Sequence, residues 1–316
     1  MTELNKRRLG RTGLMVTELG LGGFQFTGEF GVPRAVAFDI MDLAFRSGIN
    51  FVDSAPMYGF GESEELVGRG TEKAGGQIYI STKVGWLDRT IVRNLGDEAY
   101  RDEAAIRRVV EHSMRLLGRS YLDIVMVHEP EWKQWGLDPD TGDGVILTTL
   151  ERLKKEGVIG AIGMGGGHLD VMTRLAETGR FDVLLTFMHY DLAVQDAKER
   201  LLPAAKKHDM GVILGGPFRQ GALAVKQEAR IAEMRRTGEY PWGFNEEVVR
   251  KIDHIYKLAD ETGIPLAEMG VRYLLSDPQV STVIPGPRKV EELESNLEAA
   301  RKGPLPEDVL EQIRKI

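Results

Sequence analysis

Short apolar runs rich in β-branched residues recur along the chain at 19–23, 49–55, 78–84, 123–128, 160–165, 183–190, 211–215 and 281–285. Between them, apolar residues fall every three to four positions among good helix formers, at 35–47, 63–72, 103–117, 145–156, 169–178, 197–208, 246–262 with 266–275, and 290–300. Strands that alternate with helices in this way predict βαβ units, a parallel sheet and helices covering it. Eight such repeats with no linker rich in Pro, Ser or Gly predict an α/β fold: a single (β/α)8 TIM barrel over 1–316. Ahead of the first repeat, the turn at Arg11-Thr12-Gly13 between two short segments predicts a β-hairpin that plugs the barrel bottom.

Three connections are longer than turns require: 86–100 after the third strand, 129–144 after the fourth with Trp132 and Trp135, and 219–245 after the seventh with Tyr240 and Trp242. In a barrel, loops at the strand C-termini form the mouth, so these are expected to shape a binding site. Trp86, Trp132 and His189 are the candidate substrate contacts.

Of the 316 residues, 42% are hydrophobic, and 41 Lys and Arg against 48 Asp and Glu give a net charge of −7 without a basic stripe. That balance argues against a nucleic-acid or anionic-membrane partner. The absence of Cys excludes disulfides, thiolate zinc sites, iron–sulfur clusters and a Cys nucleophile. The scattered His residues offer no metal-ligand spacing, so no metal is expected. Neither a signal-peptide core nor a membrane-length apolar run occurs, and a cytoplasmic protein is expected, a monomer by default with an oligomer open.

Four polar residues stand at or just past the ends of neighbouring apolar runs: Asp53, Tyr58, Lys83 and His128. A polar group buried there must be paired or used. Singly, each has an ordinary alternative: a helix cap, a snorkelling lysine, a core histidine. Together they describe a tunable proton donor. The Lys83 ammonium is expected to stabilise a Tyr58 phenolate and lower its pKa, Asp53 to hold the lysine charged, and His128 to orient a substrate oxygen.

Here the sequence resembles the aldo-keto reductase superfamily over nearly its whole length. The matching pieces are Leu9 to Val16, Leu19 to Gly22, Gly48 to Gly59, Ser63 to Gly68, Ile80 to Lys83, Tyr121 to His128, and Ile284-Pro285-Gly286 ahead of Asn296. The resemblance implies carbonyl–alcohol interconversion with NAD or NADP, Tyr58 as general acid/base, and Lys83, Asp53 and His128 as its supports. The stretches 55–64, His128-Glu129-Pro130 and 215–223 are most similar to the sugar-dehydrogenase branch, which oxidises C1 of aldoses such as galactose, fucose or arabinose and has a pyridoxal dehydrogenase as a relation. A sugar or small polar aldehyde is the implied substrate.

The implied cofactor site departs from the family pattern. Gly165 and Gly166 occupy the place of a Ser-Asn pair, and Gly215 that of a stacking Tyr; backbone amides at Gly165 and Gly166 are the expected substitutes. Pro217, Phe218 and Gln220 after the seventh strand are further candidates, with Phe218 open between cofactor packing and core. In the C-terminal motif, Pro285, Gly286, Arg288, Glu292 and Asn296 are the implied contacts. Glu292 falls where NADP enzymes often have Arg, and a carboxylate there disfavours a 2′-phosphate, so NAD is favoured over NADP. Arg288 argues the other way.

The sequence also admits two other readings. The Tyr79-x3-Lys83 spacing matches the pair of short-chain dehydrogenases, but that pair works from a helix and these residues lie in a strand-like run. A non-enzymatic nicotinamide-binding redox sensor or subunit on the same fold is the alternative from another class.

Overall fold

The computed structural model describes residues 3–86 and 96–316. Most of the connection expected at 86–100 therefore lies outside the described residues; its end forms a 3-10 turn at Gly96–Arg101. Strands β1 (Lys6–Arg8) and β2 (Met15–Thr17) pair antiparallel, with Lys6 opposite Thr17. Eight strands then run parallel in chain order: β3 (Leu21–Gly22), β4 (Phe51–Asp53), β5 (Tyr79–Val84), β6 (Leu122–His128), β7 (Ile159–Gly166), β8 (Val183–Phe187), β9 (Gly211–Gly215) and β10 (Thr282–Ile284). The ring closes where Gly20 N donates to Val283 O and Gly22 N to Pro285 O, each at 2.9 Å. This is the (β/α)8 barrel that the alternation predicts.

The helices are α1 (Arg34–Arg46), α2 (Glu62–Glu72), α3 (Glu103–Leu117), α4 (Val145–Lys155), α5 (Leu169–Glu177), α6 (Leu201–Lys207), α7 (Glu228–Thr237), α8 (Glu246–Thr262), α9 (Leu266–Leu275), α10 (Val290–Arg301) and α11 (Glu307–Arg314). Among the described residues, none is long and apolar enough to cross a membrane. Local chemistry sets several ends. Asp102 caps α3 by accepting from Ala104 N, and Asn245 caps α8 by accepting from Val248 N. The helix expected at 197–208 begins only at Leu201, with Pro203 in its first turn, where a missing N–H costs nothing; a 3-10 turn at Asp196–Lys198 precedes it. Two elements depart from the sequence reading. The 219–245 connection contains α7, whose Ala, Arg, Glu and Met residues favour helix, and α11 extends the chain past the last repeat.

A small inner core fills the barrel with Phe51, Ile124, Met126, Ala161, Val183, Leu185, Ile213 and Ile284, and the hairpin adds Leu9 and Val16 from below. Arg11 Nε reaches Asp182 Oδ1 at 2.9 Å and Arg11 N donates to Asp209 O, so the hairpin is pinned just before β8 and β9. A larger outer core separates strands from helices. Inward positions alternate along each strand. On β4, β5 and β6 they run from apolar below (Phe51, Tyr79, Ile124) to polar above (Asp53, Lys83, His128). That gradient carries the functional residues to one end.

Candidate active site

Lys83 is the centre of the mouth, with 1% of its surface exposed. Its Nζ donates to Asp53 Oδ2 at 2.6 Å, to Ser54 O at 2.8 Å and to Tyr58 Oη at 3.1 Å. All three ammonium hydrogens are thereby used. The other Asp53 oxygen accepts from Ser81 Oγ at 2.7 Å, so the carboxylate is held from both sides. Burial opposes the Lys83 charge, but Asp53 and then Tyr58 outweigh it, and its pKa rises above the ordinary lysine value.

Tyr58 lies in a tight turn after β4, where Gly59, Phe60 and Gly61 all have positive φ (62°, 54° and 97°). Glycine accepts this conformation; Phe60 bears it at a cost. The Tyr58 ring meets Phe24 edge-on at 5.0 Å and His128 at 6.0 Å between centroids. Burial pushes the phenol above its ordinary pKa; Lys83 pulls down without cancelling the rise, and Asp53 and Glu129 add to it. The expectation that Lys83 brings Tyr58 below the free-phenol value is thus corrected: desolvation wins, and the group is held as an O–H donor.

His128 closes this side. Burial and the nearby Lys83 hold its imidazole well below the ordinary range, so it is neutral at pH 7, and its Nδ1 is buried with no partner among the described residues. Gly85 makes room for it, since a Cβ there would stand 2.5 Å from His128 Cβ.

The structure thus brings Asp53, Tyr58, Lys83 and His128 together, and treats the remaining candidates differently. Gly165 faces the barrel axis, where a Cβ would lie 3.6 Å from Lys83 Cε. Gly166 faces outward, against Pro130 and the Glu131 carboxylate. Beside Gly215 stands Phe187, whose Cβ is 3.5 Å from the place of a Gly215 Cβ. Pro217 is buried and Gln220 exposed; Gln220 Nε2 donates to Trp242 O at 2.8 Å. Phe218 points the other way and packs over Gly270 of α9, which settles it as core packing and removes it from the mouth. Arg219 next to it is buried, paired with Asp191 at 2.6 Å, and ties this loop to Met188 O. In the C-terminal motif, Pro285 is buried beside β3, Gly286 abuts Gln25, and Glu292 Oε2 accepts from Arg288 N at 2.7 Å. Asn296 is buried on α10.

Among the substrate candidates, Trp86 and Trp132 are half-buried and meet at 3.8 Å between ring centroids. His189 is instead held at both ring nitrogens: Nε2 donates to Gly167 O at 2.5 Å, and Nδ1 meets the Asp196 carboxylate at 3.2 Å. It works as a brace between two loops. The sequence reading passes over Phe187, which inward parity along β8 would have found, and Glu129, visible only as the residue after His128. Burial and Glu131 raise the Glu129 pKa. Among the described residues no group of His, Asp and Glu is placed to hold a metal ion.

A neutral imidazole, a protonated phenol and a paired ammonium around one opening can polarise a carbonyl oxygen and move one proton. Comparison with known proteins shows the family. Residues 18–316 match the model of the aldo/keto reductase family. The chain is 28% identical over 323 residues to the pyridoxal 4-dehydrogenase of Microbacterium luteolum, covering 92% of each. It is 27% identical over 307 residues to the D-threo-aldose 1-dehydrogenase of a Pseudomonas species, covering 91% of this chain and 90% of the relative. The fold superposes on the holo form of aldo-keto reductase AKR11C1 from Bacillus halodurans with a TM-score of 0.78 at 24% identity, covering 99% of this chain and 96% of that one. Motifs, barrel and relatives converge: the chain belongs to the aldo/keto reductase family and is an oxidoreductase acting on carbonyls or alcohols.

Proposed function

We propose that the protein is a nicotinamide-dependent enzyme that interconverts the C1 hydroxyl and carbonyl of a sugar, or the ends of a small polar aldehyde–alcohol pair, with Tyr58 as general acid/base. The observation that carries this reading is the buried Lys83 ammonium, shared between Asp53 at 2.6 Å and the Tyr58 hydroxyl at 3.1 Å. In the reducing direction Tyr58 donates its proton to the carbonyl oxygen, and Lys83 stabilises the phenolate left behind. In the oxidising direction the phenolate takes the hydroxyl proton. Neutral His128 donates or accepts one hydrogen bond to the substrate oxygen and so fixes its approach.

The residues present fit a dinucleotide. Gly165 and Gly215 leave open the cradle that side chains would fill, and Phe187 supplies an aromatic wall beside them. When bound, that cofactor supplies or accepts the hydride. Arg288, Glu292 and Asn296, with the loop around Pro217 and Gln220, would hold its far end. Glu292 holds its carboxylate at the backbone amide of Arg288, and a carboxylate there disfavours a 2′-phosphate, which supports NAD over NADP. Trp86 and Trp132 offer flat faces for the C–H side of a sugar, and Glu129 is an acceptor for its hydroxyls.

The test is a panel of galactose, fucose, arabinose and simple aldehydes with each cofactor, followed by cofactor absorbance. Turnover on a panel member is expected, with Tyr58→Phe slowing it by roughly 10²–10⁴ while still binding cofactor. Binding without turnover on any member would favour a redox sensor, and an active Tyr58→Phe enzyme would remove Tyr58 from the chemistry.

A further inference from the structure

Glu64, on α2, is fully buried between the strands and the helices, and the chemistry above makes no use of it. Its Oε1 accepts from Thr82 Oγ1 at 2.6 Å. Its Oε2 is buried facing Ser113 Oγ on α3, and neither atom makes a hydrogen bond of ordinary geometry among the described residues, although Ser113 is near enough to favour the carboxylate. Thr82 immediately precedes Lys83 on β5. Strand alternation sends Thr82 outward to Glu64 and Lys83 inward to Asp53 and Tyr58. A carboxyl and the active-site ammonium therefore stand back to back across one strand. Holding two hydroxyls needs no acid, and a carboxylate is a costly group to bury for that purpose.

We propose that Glu64 is a positioning residue for the proton chemistry at Tyr58: by gaining or losing its own proton behind β5, it sets how much of the Lys83 charge acts on the phenol. This rests on the reading of Tyr58 as general acid/base. The groups facing Glu64 are Thr82 and Lys83 from β5, with Asp53 beyond the lysine, and Ser113 from α3. Elsewhere α2 meets α1 through Met41 against Gly70, and the 3-10 turn after β3 through Ser63, which donates to Gly23 O.

Burial pushes the Glu64 carboxyl up to about 7, against the opposing pull of Thr82, Ser113 and Lys83. Below that pH the acid is neutral and leaves the ammonium to Asp53 and Tyr58. Above it, the carboxylate competes for the same positive charge and holds the phenol's pKa higher. The coupling is mutual: whatever Lys83 does to the proton affinity of Glu64, Glu64 does to Lys83.

The full-length protein without substrate gives the direct readout, the infrared band of a buried protonated carboxyl followed through a pH titration. The band is expected to fade with a midpoint near 7 and to be absent from Glu64→Gln. In Lys83→Met the midpoint is expected to rise, because the cation that favours ionisation is gone; in Thr82→Val it rises through loss of the donor. In turnover, the inflection near 7 in the kcat/KM profile is expected to vanish in Glu64→Gln and to move upward in Thr82→Val, with KM for cofactor unchanged. Thr82→Val serves both measurements if Glu64→Gln does not fold. The same midpoint in Lys83→Met, or the same profile in the Glu64 and Thr82 variants, overturns the proposal. Tyr58→Phe is the control: if it stays active the acid/base reading itself fails, whereas an inactive Tyr58→Phe beside unchanged profiles removes only the role of Glu64.

Discussion

Going round the barrel mouth, the last inward-facing residues are Asp53, Lys83 and His128 on β4, β5 and β6, and Gly165, Phe187 and Gly215 on β7, β8 and β9. One half is a network in which each charge is held by a partner: Asp53 by Lys83 and Ser81, and Lys83 by Asp53, Ser54 and Tyr58. The other half is almost free of polar side chains, with a single aromatic ring between two glycines. The same strand geometry thus serves two ends. In the function proposed above, proton chemistry rests on which side chains are present, and room for a large flat ligand on which are missing. The first half should tolerate almost no change without loss of stability, the second should change binding and little else.

Lys83→Met breaks the first half hardest. It leaves the Asp53 carboxylate buried without its cation, so a loss of about 3–5 kcal/mol in urea unfolding is expected together with loss of turnover. A variant as stable as the parent would mean that Asp53 does not depend on the pair. Gly165→Ala probes the second half. The added Cβ stands at ordinary contact distance from Lys83 Cε, 3.6 Å, so thermal unfolding should hardly move. Because the methyl intrudes on the cradle, nicotinamide-cofactor affinity measured by fluorescence titration should fall about tenfold, the low end of what overpacking costs. Equal affinity would place the cofactor away from Gly165. The mildest change is Glu292→Ala, expected to shift the NAD-to-NADP preference toward NADP by a few-fold, within the range of one exposed charge interaction. An unchanged ratio from parallel Kd measurements would detach Glu292 from cofactor choice.

The two halves were not equally legible in the sequence. Asp53, Lys83 and His128 each interrupt an apolar run at its end, and a polar residue in that position announces itself. Glycines at strand ends announce nothing, because Gly serves turns and close packing equally well, and Phe187 is indistinguishable from core in a run that reads apolar to its last residue. Phe218 stays open between cofactor packing and core in the sequence, because only the path of the loop after Gly215 decides that its ring turns onto α9. The strand expected to reach Tyr190 stops at Phe187 because Met188 adopts a φ of 65°. The helix α7 lies inside a long connection whose Tyr240 and Trp242 suggest a loop, although its own residues favour helix. The direction of the Tyr58 shift is hidden from the sequence for a different reason. A neighbouring charge can be inferred from spacing, whereas the loss of solvent that outweighs it belongs to the folded whole.

The hairpin that inserts Leu9 and Val16 into the lower end of the barrel bears on kinetics as well as on stability. With that end stoppered, every visitor arrives and departs by a single doorway. Two guests sharing one doorway would hinder each other there, whichever sits nearer the opening slowing the passage of the other.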